Sequence, residues 1–195
     1  MTLSPQGLDL LFRDARTHGA WLDRPIPDDL LMQVVELAST GPTAFNQQPL
    51  RVIFVRSAEA KARLAPALSR GNLQKTMDAP ATAILCHDRD FWKHLSEAAP
   101  GFDAAGMFEG NPDAALESAR RNGTLQSGYF ILAARALGLD AGPMSGFDKE
   151  KVTEAFLSDH PTWEVNLLVN LGHGNAEALR PRRPRHPTDF TASIA

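Results

Sequence analysis

Apolar residues recur along the chain at two spacings, which predict a mixture of helices and strands. Helical spacing runs from Pro5 to Arg16 and from Asp28 to the Gly41-Pro42 pair, where the proline disfavours continued helix. Three later segments, SAEAKARLAPALS, YFILAARALGL and KEKVTEAFL, also have helical spacing. Strands are predicted in RVIFVR, ATAILCH and WEVNLLVNLGHG, and ATAILCH is apolar enough to be buried on both faces. This mixture indicates an α/β or α+β fold.

The segment from Tyr129 to Leu139 is rich in alanine and apolar around most of its circumference, which predicts a largely buried helix. Its apolar surface exceeds what one small sheet can cover, so we predict a homodimer with a large apolar interface. Gly138 and Gly142 supply stop signals, and GPMSGFD is predicted to be a loop. The tail, approximately 176–195, is rich in proline and arginine and is predicted to extend over its own domain or a partner subunit.

Composition limits the classes of function. The 195 residues suffice for a single domain over 1–195, and 43% hydrophobic and 22% charged residues are typical of a globular protein. A net charge of -3 gives no basic field for nucleic acid. We see no signal peptide and no apolar stretch of ~20 residues, so no membrane partner is expected. Cys86 is the only cysteine, which fits a cytoplasmic protein and a buried, unreactive thiol.

The usual catalytic motifs are missing from the sequence, which contains neither a G-x-S-x-G elbow nor a P-loop. The histidines show no metal-ligand spacing, and no metal is expected. An Asp-Arg-Asp stretch separates His87 from His94, and both are predicted to lie on the solvated surface. The GHGN sequence after the last strand lacks the third glycine of a dinucleotide-binding fingerprint and indicates a turn.

Polar side chains gather in GPTAFNQQPLRVIFV, between a helix and a strand. Thr43, Asn46, Gln47 and Gln48 offer more hydrogen-bonding groups than a turn requires. Their number raises the question of which ligand they bind.

Cations gather near both ends of the chain. In DARTHGAW, Arg16 and His18 would point the same way in extended chain, and an arginine holds a phosphate by paired hydrogen bonds. The alternative is a pair of cations at the negative end of a helix dipole. The tail adds further arginines, which either bind an anion or form a solvated basic tail. They are Arg180, Arg182, Arg183 and Arg185.

Two further segments carry groups suited to a planar ligand. Asn72 and Lys75 are three residues apart on a predicted helical turn, and a lysine stabilises negative charge that develops on a conjugated ring. Gly142, Ser145 and Gly146 would let backbone N–H groups approach a ligand closely. The alternatives are an ordinary surface lysine and a plain connector.

In this order, Arg-x-His, P-T-A-x-N-x-Q-P, N-x-x-K, G-P-M-S-G-F-D and a C-terminal arginine pair resemble the nitroreductase family of FMN-dependent oxidoreductases, over nearly the whole chain. DARTH, GNLQKT and RALGLDxGPMSGFD are most similar to its subgroup of malonic semialdehyde reductases of uracil catabolism. The resemblance implies an α+β fold, a nitroreductase-like α-β-α sandwich with a mixed central sheet and a C-terminal extension. It also implies an intertwined homodimer with FMN at the subunit interface.

By this resemblance, the phosphate of FMN is held near both chain termini, and the loop before the first strand reaches the flavin from the partner subunit. Asn72 and Lys75 face the pyrimidine edge, and the segment after the alanine-rich helix lies against the ring and N5. Gln47 has no implied role and is expected to face solvent. The implied cofactor-binding residues are Arg16, Thr17, His18, Pro42, Thr43, Ala44, Asn46, Gln48, Asn72, Lys75, Gly142, Pro143, Met144, Ser145, Gly146, Arg180 and Arg182.

The implied reaction is ping-pong hydride transfer through flavin N5, with NADH or NADPH as the donor and a small molecule as the acceptor. Lys75, Ser145 and Gly146 support the flavin chemistry, and no acid–base dyad is expected. Reduction of malonic semialdehyde to 3-hydroxypropionate is the first expectation for the acceptor, with broad nitroaromatic or quinone reduction as the alternative. A non-catalytic flavin-binding protein and an unrelated anion-binding module are alternatives from other classes.

Two departures from the family pattern stand out. Many relatives carry a glutamate where this chain has Ser145, so the electrostatics beside N5 should differ. Some relatives also carry a second cation where this chain has Gly19 and Ala20, so we hypothesise a lower affinity for FMN. An apoprotein that binds FMN as tightly as those relatives would contradict this hypothesis.

Overall fold

Four strands form one antiparallel sheet in a computed structural model that describes residues 2–101 and 105–195. Their order is β1-β2-β4-β3. The bounds are Leu50–Val55 for β1, Ala81–Asp88 for β2, Asp140–Met144 for β3 and Trp163–Gly172 for β4. Every pair in this sheet is antiparallel, so the chain's own described strands do not make the mixed sheet that the resemblance implied.

Helices cover both faces of the sheet. They are α1 Pro5–Leu8, α2 Asp28–Ser39, α3 Ala58–Leu64, α4 Arg70–Met77, α5 Leu95–Ala98, α6 Pro112–Ala136, α7 Lys149–Phe156 and α8 Thr188–Thr191. One core cluster joins α2 and α6 to the sheet through Leu31, Val34 and Phe130. The other joins α3 and α7 to the opposite face through Leu64 and Val152. The α+β class and the three-layer sandwich are therefore confirmed.

The central strand β2 is buried at all of its positions, as its apolar sequence predicted. Burial on both faces follows from the helices above and below the sheet. Cys86 lies on this strand, and burial raises the pKa of its thiol to about 12. The thiol therefore stays protonated near neutral pH and is a poor nucleophile.

Several elements differ from the sequence-based prediction. The first predicted helix divides into α1 and a π-helical turn at Asp9–Arg13, and Arg16 lies beyond both. The alanine-rich segment is the second half of the 25-residue helix α6, which ends before Gly138 at φ 80°. The predicted loop GPMSGFD is wrong at its start, because Gly142, Pro143 and Met144 belong to the edge strand β3. Pro143 is tolerated there because an edge strand leaves one row of backbone groups without ladder partners.

The start of the tail contacts the N-terminal segment of the same chain. The Arg182 guanidinium donates to the carbonyl oxygens of Arg13 at 2.6 Å and Ala15 at 3.0 Å. Arg16 in turn donates to the carbonyl oxygen of Arg180. Beyond Arg180 every residue is exposed, and α8 is a single short turn. No helix in the described ranges is long and apolar enough to cross a membrane.

His87 is buried at the end of β2, so the prediction that it lies on the solvated surface is wrong, whereas His94 is exposed. Gly123 of α6 makes room for it, since a Cβ there would lie 2.7 Å from the His87 Cβ. Burial lowers the pKa of His87, and Glu164, whose Oε2 lies 3.4 Å from Nε2, offsets part of this effect. His87 is therefore neutral near pH 7.

Acidification should destabilise the fold through His87. In the unfolded chain this histidine takes up a proton near pH 6.5, whereas in the folded chain it does so only at lower pH. The unfolded state thus binds more protons below about pH 6.5, and the free energy of unfolding falls there. Urea midpoints at about pH 7.5 and about pH 5.5 should differ less for His87→Gln than for the parent protein.

The exposed His94 offers the matched control. His94→Gln should keep the parent pH dependence of the urea midpoint. Equal pH dependence in both variants would show that His87 does not carry the effect.

Candidate functional site

A cleft of about 710 Å³ lies between the segment from Ala15 to Ala20, helix α4 and the tail. Many of the side chains that line it are basic. They are Arg16, His18, Lys75, Arg135, Arg180, Arg182, Arg183 and Arg185. The structure therefore brings the two predicted cation clusters, from opposite ends of the chain, into one site with Lys75.

The positive charge of this cleft is not neutralised by the protein. Within the described ranges, neither the arginines of the cleft nor Lys75 Nζ lies within 4 Å of a carboxylate oxygen. Arg16 and Arg182 donate to neutral backbone carbonyls instead. Burial lowers the pKa of Arg135, with a further contribution from the like charge of Arg182 that Asp140 opposes. Such a cluster of like charges favours an anion between them.

His18 is the most buried of these side chains, with 7% of its surface exposed. Its Nε2 lies 3.4 Å from Asp140 Oδ1, while Asp140 Oδ2 accepts a hydrogen bond from Gly174 N at 2.8 Å. Its Nδ1 is buried and has no partner among the described residues. A Cβ on Gly174 would lie 2.1 Å from this Nδ1, so the glycine after β4 is required to seat the histidine.

Lys75 lies in the last turn of α4, and two side chains hold its backbone. Its carbonyl oxygen accepts from Trp21 Nε1 at 2.9 Å and from Asn170 Nδ2 at 3.3 Å. Gly19 lies directly beside the lysine, because a Cβ there would make an ordinary van der Waals contact with Lys75 Cδ at 3.9 Å. Neither Trp21 nor Asn170 was singled out in the sequence.

The other predicted residues on this edge also lie together. Asn72 Nδ2 donates to Gly146 O at 2.8 Å, and a Cβ on Gly146 would lie 2.7 Å from that nitrogen. Ser145 is exposed beside them, and Met144 is buried at the end of β3. Thr17 lines the cleft, Gly142 packs against the His18 backbone, and Pro143 lies between Gly142 and Met144 on β3.

The loop before β1 lies in a different part of the fold from the cleft. Leu50 pairs with His87, at the end of the sheet remote from the Asp140–Gly172 pair beside the cleft, and β1 and β3 are opposite edges. Ala44 N donates to Asn122 Oδ1 at 2.8 Å, and Asn46 Nδ2 donates to Ala98 O at 2.7 Å. A single chain therefore does not bring this loop, which includes Pro42, Thr43 and Gln48, to the cleft.

Backbone strain marks the same loop. Phe45, Asn46 and Gln48 have φ values of 51°, 55° and 44°, in the left-handed region that non-glycine residues rarely adopt. Thr43 Oγ1 accepts from Gln48 N at 3.2 Å and closes the loop on itself. Strain of this kind persists only where neighbouring structure enforces it, and it is common at binding sites.

Gln47 helps to hold this loop in its strained conformation. The expectation that Gln47 faces solvent is wrong. It is buried, and its Oε1 accepts from Ser118 Oγ at 2.8 Å and Asn122 Nδ2 at 2.9 Å. These partners lie one turn apart on α6 and so face the loop together. The sequence did not reveal them, since they belong to a segment far along the chain.

A second cleft, of about 560 Å³, contrasts with the first. It lies beside the start of β4 and contains both Arg89 and Arg120, whose guanidinium groups lie 3.7 and 3.0 Å from Glu164 oxygens. Its two arginines are paired with a carboxylate, unlike the arginines of the first cleft. In the described ranges no group of three or more metal-ligating side chains could hold a metal ion.

Comparison with known proteins identifies the family of this chain. The model of the nitroreductase family matches residues 13–173. The chain belongs to the nitroreductase family. This match spans the cleft's Arg16, His18 and Lys75, the loop before β1 and the whole sheet.

Nitroreductase-family relatives match nearly end to end. A protein of Stutzerimonas stutzeri with the provisional name NADH dehydrogenase/NAD(P)H nitroreductase is 51% identical over 193 residues, covering 99% of this chain and 98% of its own. A crystal structure of a Bacillus subtilis protein described as a nitroreductase has a TM-score of 0.88 at 24% identity, covering 98% of this chain and all of that one. A nitroreductase of Exiguobacterium sibiricum, solved in complex with FMN, has a TM-score of 0.85 at 22% identity, covering 100% of this chain and 99% of its own.

Arg135 is a cleft residue that the sequence-based prediction missed. It projects from α6, and its Nη1 donates to the carbonyl oxygen of Leu11 at 3.2 Å. The signal was present, because Arg135 is the only charged residue in YFILAARALGL. A lone charge in an apolar helix usually has a specific partner.

Replacing Gly174 should disturb the cleft without adding charge. Gly174→Ala would push a Cβ into the His18 ring, and we expect overpacking of this kind to cost about 1–3 kcal/mol of unfolding free energy. Urea denaturation measures this loss.

Gly71 provides the matched control, because it lines the same cleft and a Cβ there meets no atom within 4 Å. Gly71→Ala lies within α4 and should be neutral or stabilising by up to about 1 kcal/mol. Equal stability of Gly174→Ala and the parent would show that His18 is not confined as the structure has it.

Proposed function

We propose that the protein is an FMN-dependent NAD(P)H oxidoreductase that binds the FMN phosphate in the cationic cleft. The observation that carries the proposal is the cluster of arginines that lines this cleft beside the buried His18 and, within the described ranges, has no carboxylate partner within 4 Å. Arg16, Arg135 and Arg182 supply charge and N–H donors suited to a phosphate. The Exiguobacterium nitroreductase complex with FMN and the NAD(P)H in the relative's name support this choice.

The rest of the cleft suits the ring of the same ligand. Lys75 lines the cleft, and Asn72 contacts the Ser145–Gly146 turn on the same edge of the sheet. Bound FMN would supply hydride-transfer chemistry for both donor and acceptor. Lys75 would stabilise negative charge on the pyrimidine edge, and backbone N–H groups near Ser145 and Gly146 would tune the environment of N5.

A broad specificity for nitroaromatic and quinone acceptors fits best, given the relative's name. Reduction of malonic semialdehyde is the second candidate, and Arg70 is the observation in its favour. This arginine opens α4 beside the Ser69–Gly146 contact, is exposed, and forms no ion pair within the described ranges. It could receive the substrate carboxylate.

The functional unit that we propose is a homodimer. The loop before β1 and the cleft lie at opposite corners of one sheet, so a complete site would combine the cleft of one chain with the loop of its partner. Large apolar side chains are also exposed on the N-terminal segment and α6. They include Leu10 at 50%, Phe12 at 53% and Leu125 at 46%.

Titration of the apoprotein tests the cofactor and then the reaction. FMN should bind more tightly than riboflavin, and Arg16→Ala should weaken FMN binding by about 10- to 100-fold with little change for riboflavin. Arg89→Ala, in the paired second cleft, is the control and should change neither affinity. Anaerobic NADH or NADPH should then bleach the yellow protein. A nitroaromatic compound, a quinone and malonic semialdehyde are added to separate samples, and the colour should return only with acceptors that the protein reduces.

The outcomes separate the alternatives. Protein that stays colourless with FMN would reject the proposal in favour of an unrelated anion-binding module. Yellow protein that neither nicotinamide bleaches would indicate a non-catalytic flavoprotein. An equal loss of FMN and riboflavin affinity in Arg16→Ala would show that the FMN phosphate does not bind beside Arg16 in this cleft.

Hybrid dimers test the two-chain site. Arg16→Ala impairs the cleft and Asn46→Ala impairs the loop, so each variant alone should bind FMN weakly. Equal amounts unfolded and refolded together should restore tight binding at about a quarter of the sites, because half of the dimers are mixed and each has one intact site. No recovery, in a mixture that sedimentation shows to be dimeric, would mean that one chain builds the whole site.

A further inference from the structure

A network of buried polar side chains joins the two inner strands of the sheet to α4, near the end of the sheet where β4 finishes. Asn170 of β4, Thr82 of β2 and Thr76 of α4 each have 0% of their surface exposed. Asn170 is paired with Thr82 in the strand register, and Thr82 Oγ1 donates to Asn170 Oδ1 at 2.8 Å. Asn170 Nδ2 donates to Thr76 Oγ1 at 3.1 Å and to Lys75 O at 3.3 Å.

This network ends on the two elements that flank the proposed ring site. The Lys75 carbonyl lies in the last turn of α4, where no backbone N–H of the helix can reach it. Asn170 and Trp21 therefore supply its donors. Thr76 Oγ1 continues the chain to Met144 Sδ, at 3.6 Å, on β3.

The two donors to Lys75 connect it to different parts of the molecule. Trp21 belongs to the segment that carries Arg16 and His18, so its bond links Lys75 to the phosphate end of the cleft. Asn170 belongs to the rigid centre of the sheet, and its bond fixes the lysine's backbone relative to β2 and β4. Asn170 thus holds the backbone from which the lysine side chain leaves α4.

Packing alone does not require an amide at this position. Asn170 interrupts the apolar run LLVNL, where a buried polar group costs free energy unless all of its hydrogen bonds are made. Satisfied networks of this kind can define one geometry in a core where apolar packing would allow several. The geometry that this network defines is that of α4 and β3.

We propose that Asn170 is a positioning residue that aims Lys75 at the ring of the bound cofactor, with Thr82 orienting its amide. This inference rests on the proposed function, since the task of Lys75 exists only with a flavin bound. It predicts that loss of Asn170 slows reduction of the flavin by a larger factor than it lowers the affinity for FMN.

Flavin reduction in a double-mutant cycle tests the inference on the FMN-loaded protein. Asn170→Leu removes the amide at similar volume and should slow anaerobic reduction by NADH or NADPH by about tenfold, the factor that one ordinary hydrogen bond is worth. The affinity for FMN should change much less. In a Lys75→Ala background the same substitution should have little further effect, because both changes act through the lysine.

Asn166 provides the matched control on the same strand. It is half-buried and donates to Thr124 Oγ1 at 3.0 Å, away from the cleft. The FMN bound to Asn166→Leu should therefore be reduced by NADH or NADPH at the parent rate. If Asn170→Leu fails to fold, Thr82→Val removes only the bond that orients the amide and should produce a smaller slowing, again absent with Lys75→Ala.

Failure of the inference is distinguishable from failure of the proposed function. Colourless protein, or yellow protein that is not bleached, would overturn the function itself. Normal bleaching of the parent with additive effects of Asn170→Leu and Lys75→Ala would overturn only the positioning role. Reduction at the parent rate in a folded Asn170 or Thr82 variant would do the same.

Discussion

Repulsion between cations is the constraint on which the site depends. Arg16, Arg135 and Arg182 line one cleft, and in the described ranges no carboxylate lies within 4 Å of their guanidinium groups. Neutral carbonyl groups hold the arginines in place, chiefly through the crossed contacts between the tail and the segment from Arg13 to Arg16. The fold thus tolerates a concentration of charge that a bound anion would relieve.

The sheet register explains why we propose a site that two chains share. The cleft lies beside β3, at the end where Asp140 pairs with Gly172, and the amide-rich loop lies before β1, at the other end and edge. Three inter-strand spacings of about 4.8 Å separate the edge strands, more than a side chain spans. A second copy of the chain is the simplest source of the missing half.

Much of the fold could be predicted from the sequence because its strongest patterns are local. The apolar strands β2 and β4 and the helices α2 and α7 follow their periodicity closely. The edge strand β3 was missed because Gly142 and Pro143 are typical of loops, and only its pairing with β4 makes it a strand. His87 and Gln47 were misassigned for a related reason, since their burial depends on Gly123, Ser118 and Asn122 of the distant helix α6.

The residues of the site divide in the same way. Motif resemblance identified the side chains that point at the cleft, such as Arg16 and Lys75, but not those that hold them, such as Trp21, Asp140 and Asn170. A supporting residue acts through one backbone carbonyl or one ring nitrogen, and any strand or helix of the fold can supply it. Its role therefore leaves no local pattern in the sequence, and only the packed structure reveals it.

Both halves of the proposed site are rigid before they meet. Gln47 and Asn122 hold the strained loop on α6, while Asn170 and Trp21 hold α4 against the sheet. A ligand that bridges two such halves has little protein conformational entropy to remove on binding, so more of its interaction energy is available as affinity. The cationic cleft alone would accept a range of small anions. Under the proposed two-chain arrangement, the added loop would select a flat, phosphorylated ligand that reaches both halves.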